Sequence, residues 1–137
     1  MSGSTVRRLT AELLKELNAR VTGNCILTKP GELESALHRP ENLAHYVPTS
    51  SQADRAASLG FGLIANHPFF DGNKRTAHLA VNEWLKAHGL RELPSDNSSL
   101  AQKIFEAHKA IAAKNGDSQD EKLQKNLSQL YARAIGK

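Results

Sequence analysis

The sequence predicts an all-α protein, a compact single-domain bundle of about six helices. Three observations carry that expectation. Apolar residues recur at the three-and-four spacing of a helix face in almost every periodic segment. Capping residues, prolines and glycines stand at the ends of those segments. No stretch alternates apolar and polar residues over the length a half-buried strand needs. A chain of 137 residues can close one hydrophobic core, so residues 1–137 read as one domain, with a core over about residues 8–113 and a C-terminal helix over about residues 118–135.

The first helix is expected after Thr10, a capping residue, with Leu13, Leu14, Leu17 and Val21 on one face. Residues 23–31 read as a loop. A short helix follows, opened by Pro30, carrying Leu33, Ala36 and Leu37 inward and closed before Pro40. Residues 41–50 contain Pro48 and show no period, which predicts an irregular surface segment or a short hairpin. Ser51 and Asp54 form a capping box for a third helix. Its stripe of Ala53, Ala56, Ala57, Gly60, Phe61, Leu63 and Ile64 holds enough small residues to let a neighbour approach closely, which marks a central helix. Pro68 disfavours helical geometry at His67 and ends it. The next helix turns Ala77, Ala80, Val81, Trp84 and Leu85 inward and stops at Gly89, a left-handed cap position. Asn97 or Ser98 caps a further helix with Leu100, Ile104, Ala107 and Ile111 inward, closed near Gly116. Ser118 and Glu121 form a second capping box for the last helix, which presents Leu123, Leu127, Leu130, Tyr131 and Ala134.

Composition narrows the function classes. Eighteen basic against 14 acidic residues give a net charge of +4, and the basic residues are scattered, so nucleic acid is not an expected partner. Cys25 stands alone, which leaves no intramolecular disulfide or cysteine-based zinc site and fits a reducing, cytoplasmic setting. No apolar run approaches the ~20 residues of a membrane span. Met1-Ser2-Gly3-Ser4 lacks the apolar region of a signal peptide.

The chemistry is concentrated in His67-Pro68-Phe69-Phe70-Asp71-Gly72-Asn73-Lys74-Arg75, immediately before a helix-compatible run over residues 76–88. A helix start leaves backbone N–H groups unpaired at the positive end of the dipole and so attracts anions. Gly72 permits close approach to the N–H groups of Asn73, Lys74 and Arg75. Arg75 can grip phosphate oxygens in a fork, and Lys74 adds a point charge. Asp71 offers a hard oxygen to Mg²⁺, which takes one or two protein carboxylates beside phosphate oxygens. An imidazole with an ordinary pKa of about 6.5 can deprotonate a hydroxyl near neutral pH, which gives His67 the part of a base. With Asp71 at the helix entrance, Asp71, Arg75, His78 and Asn82 share one stripe, apart from the core-facing residues. One of Phe69 and Phe70 is expected to anchor the loop and the other to flank the pocket. Base, cradle and metal ligand together describe in-line transfer of a phosphorus group to an alcohol.

This run resembles the signature of the Fic/Doc family, His-Pro-Phe-x-Asp/Glu-Gly-Asn-Gly/Lys-Arg, over nine contiguous positions. Leu33-Glu34-Ser35-Ala36-Leu37-His38-Arg39-Pro40 is similar to an upstream segment common in the Doc branch, and the resemblance extends over roughly residues 8–113. It implies an all-helical core with the motif between two central helices. It implies His67 as general base, Asp71 as the holder of Mg²⁺, and Asn73 and Arg75 as phosphate ligands beside the anion hole at Gly72, with ATP as co-substrate. Residues 41–50 would be the flap that lines up the target's main chain. Phe70 and His78 are accessory candidates.

Two departures point within the family. Members that transfer AMP usually have Gly where Lys74 stands and a second Arg where His78 stands. The combination here resembles Doc, which binds the nucleotide reversed and phosphorylates a hydroxyl of a translation elongation factor. The resemblance therefore implies phosphorylation of a protein target, with AMP transfer as the alternative. The family's self-inhibitory pattern, Ser/Thr-x-x-x-Glu-Gly/Asn, has no match: Leu14 follows Thr10 by four positions and Lys122 follows Ser118. Restraint is then expected from a separate, antitoxin-like chain. Two readings of other classes compete. A metal-dependent hydrolase would use His67, Asp71 and His78 as ligands but leave the Gly-Asn-Lys-Arg run idle. A silent binding module would not need the complete motif. The remaining histidines, His38, His45, His88 and His108, show no ligand spacing.

Overall fold

The computed structural model describes residues 9–113 and 120–136. These form seven helices: α1 Ala11–Thr22, α2 Pro30–Leu37, α3 Arg39–Tyr46, α4 Gln52–Ala65, α5 Asn73–Ala87, α6 Ser99–Ala113 and α7 Asp120–Ala134. The all-α expectation holds. Met1–Ser4, Gly116 and Ser118, and with Ser118 the second capping box, lie outside the described residues.

The local signals work as their chemistry predicts. The Thr10 hydroxyl accepts from the N–H of Leu13 at 3.1 Å and opens α1, which closes on left-handed Gly23. Ser51 and Asp54 form both halves of the capping box of α4, each at 3.0 Å. Ser98 caps α6 through Ala101 N–H, and Gly89 has the left-handed φ of +70° expected beyond α5. Helix α4 is the hub, packed against α2, α3, α5, α6 and α7, while α1 lies across α5 and α2. Its small residues admit those neighbours. A Cβ on Gly60 would stand 2.8 Å from the Tyr131 hydroxyl of α7, so the glycine is what lets α7 seat.

One expectation fails. Residues 41–50 are not an irregular flap or hairpin: Arg39–Tyr46 is helix α3, packed on α4, followed by a turn. This is also why there are seven helices, where about six were expected. Pro40 reads as a terminator of α2, but a proline equally suits the first turn of a new helix, where its missing N–H has no partner to lose. Arg39 then fastens α3. Its Nε donates to Ser58 O at 2.7 Å, its Nη2 to Gln124 Oε1 at 2.8 Å, and its guanidinium lies 5.5 Å from the Phe61 ring centre. The eight-residue helix shows little period because its inward face is short.

No helix among the described residues is long and apolar enough to cross a membrane. Cys25 is a free, half-buried thiol whose pKa is raised by burial, against the opposing pull of Lys15.

Candidate active site

The nine-residue run forms the loop between α4 and α5, with its last three residues in the first turn of α5. Phe69 is 2 % exposed and anchors the loop in the core, whereas Phe70 is 74 % exposed, which decides which of the two is the anchor. The segment that flanks the loop is residues 25–29, not residues 41–50. Thr28 and Lys29 N–H donate to Pro68 O at 3.0 Å, Phe70 N–H donates to Ile26 O at 2.9 Å, and Leu27 pairs with Phe69 as an antiparallel bridge. Residues 23–29 lack helix as expected, whereas Pro30 and Gly31 already belong to α2, and nothing local signals this pairing, which depends on chain 40 residues away.

His67 is exposed, and its backbone has φ of +49°, the only positive value at a non-glycine among the described residues. Such geometry costs roughly 1–3 kcal/mol and is concentrated at functional sites. The ring is also oriented. Nδ1 lies 3.3 Å from Ala65 O, and the carbonyl can only accept, so Nδ1 carries the proton and Nε2 is left as the basic nitrogen.

Helix α5 starts at Asn73, two residues beyond the Asp71 entrance assumed from the sequence, with Gly72 as its N-cap. The first helical bond is Thr76 N–H to Gly72 O at 2.8 Å. The N–H groups of Asn73, Lys74 and Arg75 therefore precede the helical ladder, and glycine offers no side chain to cap them. A helix start ordinarily favours acids, yet this first turn holds no acid and two cations. Arg75 is exposed and Lys74 half-buried. The local field is positive, which suits an anion.

Two residues expected to touch phosphate owe their identity to other work. Gly72 has φ of +75°, and a Cβ there would meet Thr22 Cγ2 at 2.6 Å and Val21 Cγ2 at 3.2 Å. The glycine is required by α1, which passes across it. The Asn73 side chain is turned inward: Oδ1 accepts from Phe69 N–H at 3.0 Å and Nδ2 donates to Phe69 O at 2.8 Å. The side chain is thus committed to the loop, which leaves the backbone N–H of Asn73 as its group for an anion. Its amide ties the loop shut, and its backbone N–H faces the cradle.

Asp71 is exposed, with Oδ1 accepting from Gly72 N–H at 2.8 Å. Its backbone carbonyl is held by Asn18 of α1, whose Nδ2 donates to Asp71 O at 2.8 Å and Thr76 Oγ1 at 3.1 Å. Asn18 is 1 % exposed and was missed from the sequence, although a polar residue amid the apolar face of Leu14, Leu17 and Val21 was the available sign. Among the described residues no three His, Cys, Asp or Glu side chains gather as metal ligands, so His67, Asp71 and His78 do not assemble the hydrolase centre.

His78 faces away from the loop, toward α6. Lys74, Arg75 and His78 line one side of a cavity of about 360 Å³, with Phe105 and His108 of α6 opposite. His78 and His108 lie with ring centres 6.2 Å apart, and His108 Nε2 is 2.7 Å from the Tyr131 hydroxyl. Burial lowers the pKa of His78 against the pull of Glu92. It lowers His108 to about 3, aided by His78 and Lys74. Both rings are thus neutral at pH 7. Asn82, the far member of the polar stripe, is buried and accepts from Leu93 N–H at 2.8 Å, a fastening for the chain after α5. Trp84 packs, stacked on His88 at 3.9 Å.

No curated protein and no solved structure matches the chain. The sequence model of the Fic/DOC family does, over residues 2–85, which runs through α1–α4, the loop and nearly all of α5 and leaves α6 and α7 beyond it. With more than half of its 137 residues matched, and with the motif loop seated between two central helices, the chain belongs to the Fic/DOC family.

Proposed function

We propose that this protein is a transferase that moves the terminal phosphate of ATP to a hydroxyl of a protein, the Doc-like activity of its family. The observation that carries the reading is the uncapped, doubly cationic start of α5 beside an exposed histidine with an oriented ring. The N–H groups of Asn73, Lys74 and Arg75 and the Arg75 guanidinium bind phosphate oxygens. His67 Nε2 takes the proton of the target hydroxyl as its oxygen bonds to phosphorus. The bond from that phosphorus to the bridging oxygen breaks, and nucleoside diphosphate leaves. Lys74 stabilises the charge that gathers on the phosphates during transfer.

Asp71 is suited to Mg²⁺, since one outward carboxylate with phosphate oxygens is the ion's usual donor set. Bound there, Mg²⁺ would neutralise phosphate charge. Residues 25–29 take the role of the flap, because they already pair with the loop at Pro68 and Phe70 and leave Ile26 exposed next to exposed Phe70. A translation elongation factor is the proposed target, and a separate antitoxin-like chain the proposed restraint.

The test is to incubate the protein with an elongation factor, Mg²⁺ and ATP and weigh the factor. Phosphorylation adds about 80 Da and AMP transfer about 329 Da, from the mass of each transferred group. We expect the smaller gain, reduced at least about a hundredfold in rate by His67→Ala. A gain of about 329 Da supports the AMP-transfer alternative. No gain on any lysate protein, with His67→Ala equal to the parent, rejects both.

A further inference from the structure

His67 follows Asn66, the C-cap of α4, at the position where a helix commonly turns into left-handed backbone, and its φ of +49° makes that turn. Glycine is the usual occupant, because a Cβ makes the conformation costly. A base cannot be a glycine, so here the turn has to be held from outside. We infer that Lys29 holds it, as a positioning residue that grips the chain on both sides of His67 and so keeps the basic nitrogen available. This rests on the proposed role of His67 as base and adds the group that keeps it in place.

Lys29 makes the two contacts with different ends of the residue. Its Nζ donates to Asn66 O at 3.3 Å, and its backbone N–H donates to Pro68 O at 3.0 Å. Thr28 brings its own N–H at 3.0 Å and its hydroxyl at 3.1 Å to the same Pro68 oxygen. Asn66 O lies in the peptide plane shared by Asn66 and His67, so holding that oxygen fixes one side of the rotation that φ of His67 measures. Pro68 O lies in the plane shared by Pro68 and Phe69. The pyrrolidine ring locks one of the two rotations between that plane and His67. The backbone of His67 is thus tied before and after to the dipeptide Thr28-Lys29.

Electrostatics favours a cation at this point. The last carbonyls of a helix have no partner within it and form the negative end of its dipole. Helix α4 has no basic residue in its last turn, and Lys29 supplies that charge from across the loop. For α2 the lysine is a poor choice. It stands at the N-cap, makes no side-chain capping bond there, and puts a cation at the positive end of the dipole. Its identity is therefore explained by α4 and the loop. The ring of His67 depends on the same turn. Nδ1 reaches Ala65 O at 3.3 Å only because the chain folds back over the end of α4. If the turn relaxes, the ring leaves Ala65 O and the proton is free to move from Nδ1 to Nε2. The nitrogen that has to accept the target's proton is then blocked.

Long-range proton–nitrogen NMR of the full chain at about pH 8.5, above the range in which an imidazole ordinarily titrates, reads the His67 tautomer directly. In the parent, protonated Nδ1 and bare Nε2 should be widely separated in shift. Lys29→Met, which keeps the stem and removes the charge, should shrink or reverse that separation. It should also lower kcat for phosphate transfer roughly tenfold, the scale of one charge-assisted hydrogen bond, with KM for ATP unchanged. Lys29→Arg should restore the parent's spectrum and most of its rate. A merely structural role for Lys29 would lower the melting temperature and leave the tautomer of the folded protein alone. Ring nitrogens already averaged in the parent overturn the inference, as does a His67 spectrum that Lys29→Met does not move, whatever the rate does. A spectrum that moves while kcat stays at the parent's value overturns it too, and in each case transfer by the parent leaves the proposed function standing. If the parent modifies no target, the proposed function fails, and the spectrum alone decides whether Lys29 holds His67.

Discussion

The loop before α5 and the cavity beyond it are neighbours built on opposite terms. The loop is exposed where chemistry is expected, at His67, Phe70, Asp71 and Arg75, and its shape comes from neighbours that grip its backbone. Asn18 holds Asp71 O, Asn73 closes on Phe69, residues 26–29 pair with Pro68 and Phe70, and α1 blocks any side chain at Gly72. The cavity is formed by helix packing, and its polar content is sunk into the interior, from His78 through His108 to fully buried Tyr131. The difference teaches where precision comes from. A reactive loop needs polar clamps because it has few apolar contacts of its own. A cavity needs only two helices held apart, and can leave its buried polar groups uncharged.

Three substitutions break or sharpen that contrast. The largest effect is expected at Gly72→Ala, which meets both a left-handed backbone and the methyl of Thr22. It should cost roughly 3 kcal/mol in urea unfolding and abolish transfer, whereas a loop shaped only by phosphate would lose activity without losing stability.

The second concerns pH. His108 has a folded-state pKa of about 3 against an ordinary 6.5, so between those values the unfolded chain binds the extra proton. Stability is then complete above pH 6.5 and declines on acidification, by up to about 1.4 kcal/mol per pH unit for one histidine, and His78 is shifted in the same direction. Thermal melting from pH 7 to 5, above the range in which ordinary carboxylates titrate, should fall more steeply for the parent than for His108→Gln. Parallel curves would show that the cavity floor is not held neutral by burial.

The smallest effect is expected at Asn18→Ala. Loss of its two bonds should cost about 1–2 kcal/mol, with activity reduced by more than the lost stability explains because the loop loosens first. An unchanged rate would mean that the Asn73 clamp suffices alone.

Much of this was legible in the sequence. Thr10, the Ser51–Asp54 box, Ser98 and Gly89 act within a few residues of themselves, so their signals survive without knowledge of the rest of the chain. Helix α3 was not legible, since Pro40 serves equally to end one helix or begin the next, and only packing on α4 decides. The sequence likewise marked His67, Asp71 and the cationic turn, because their residue types are contiguous. It gave no sign of the inward turn of the Asn73 side chain to Phe69, nor that residues 25–29 lie against a loop 40 residues away, because those partners are fixed by folding.

The sequence by itself therefore determined the all-α class, the central α4 and the position of the motif loop, each a matter of local period, capping or contiguous residues. Only the tertiary structure decided that Gly72 answers to α1, that Asn18 steadies Asp71, and that His78 and His108 share a cavity with Lys74 and Arg75. Those are relations between helices distant in the chain, and no periodicity within a single helix encodes the gap between two.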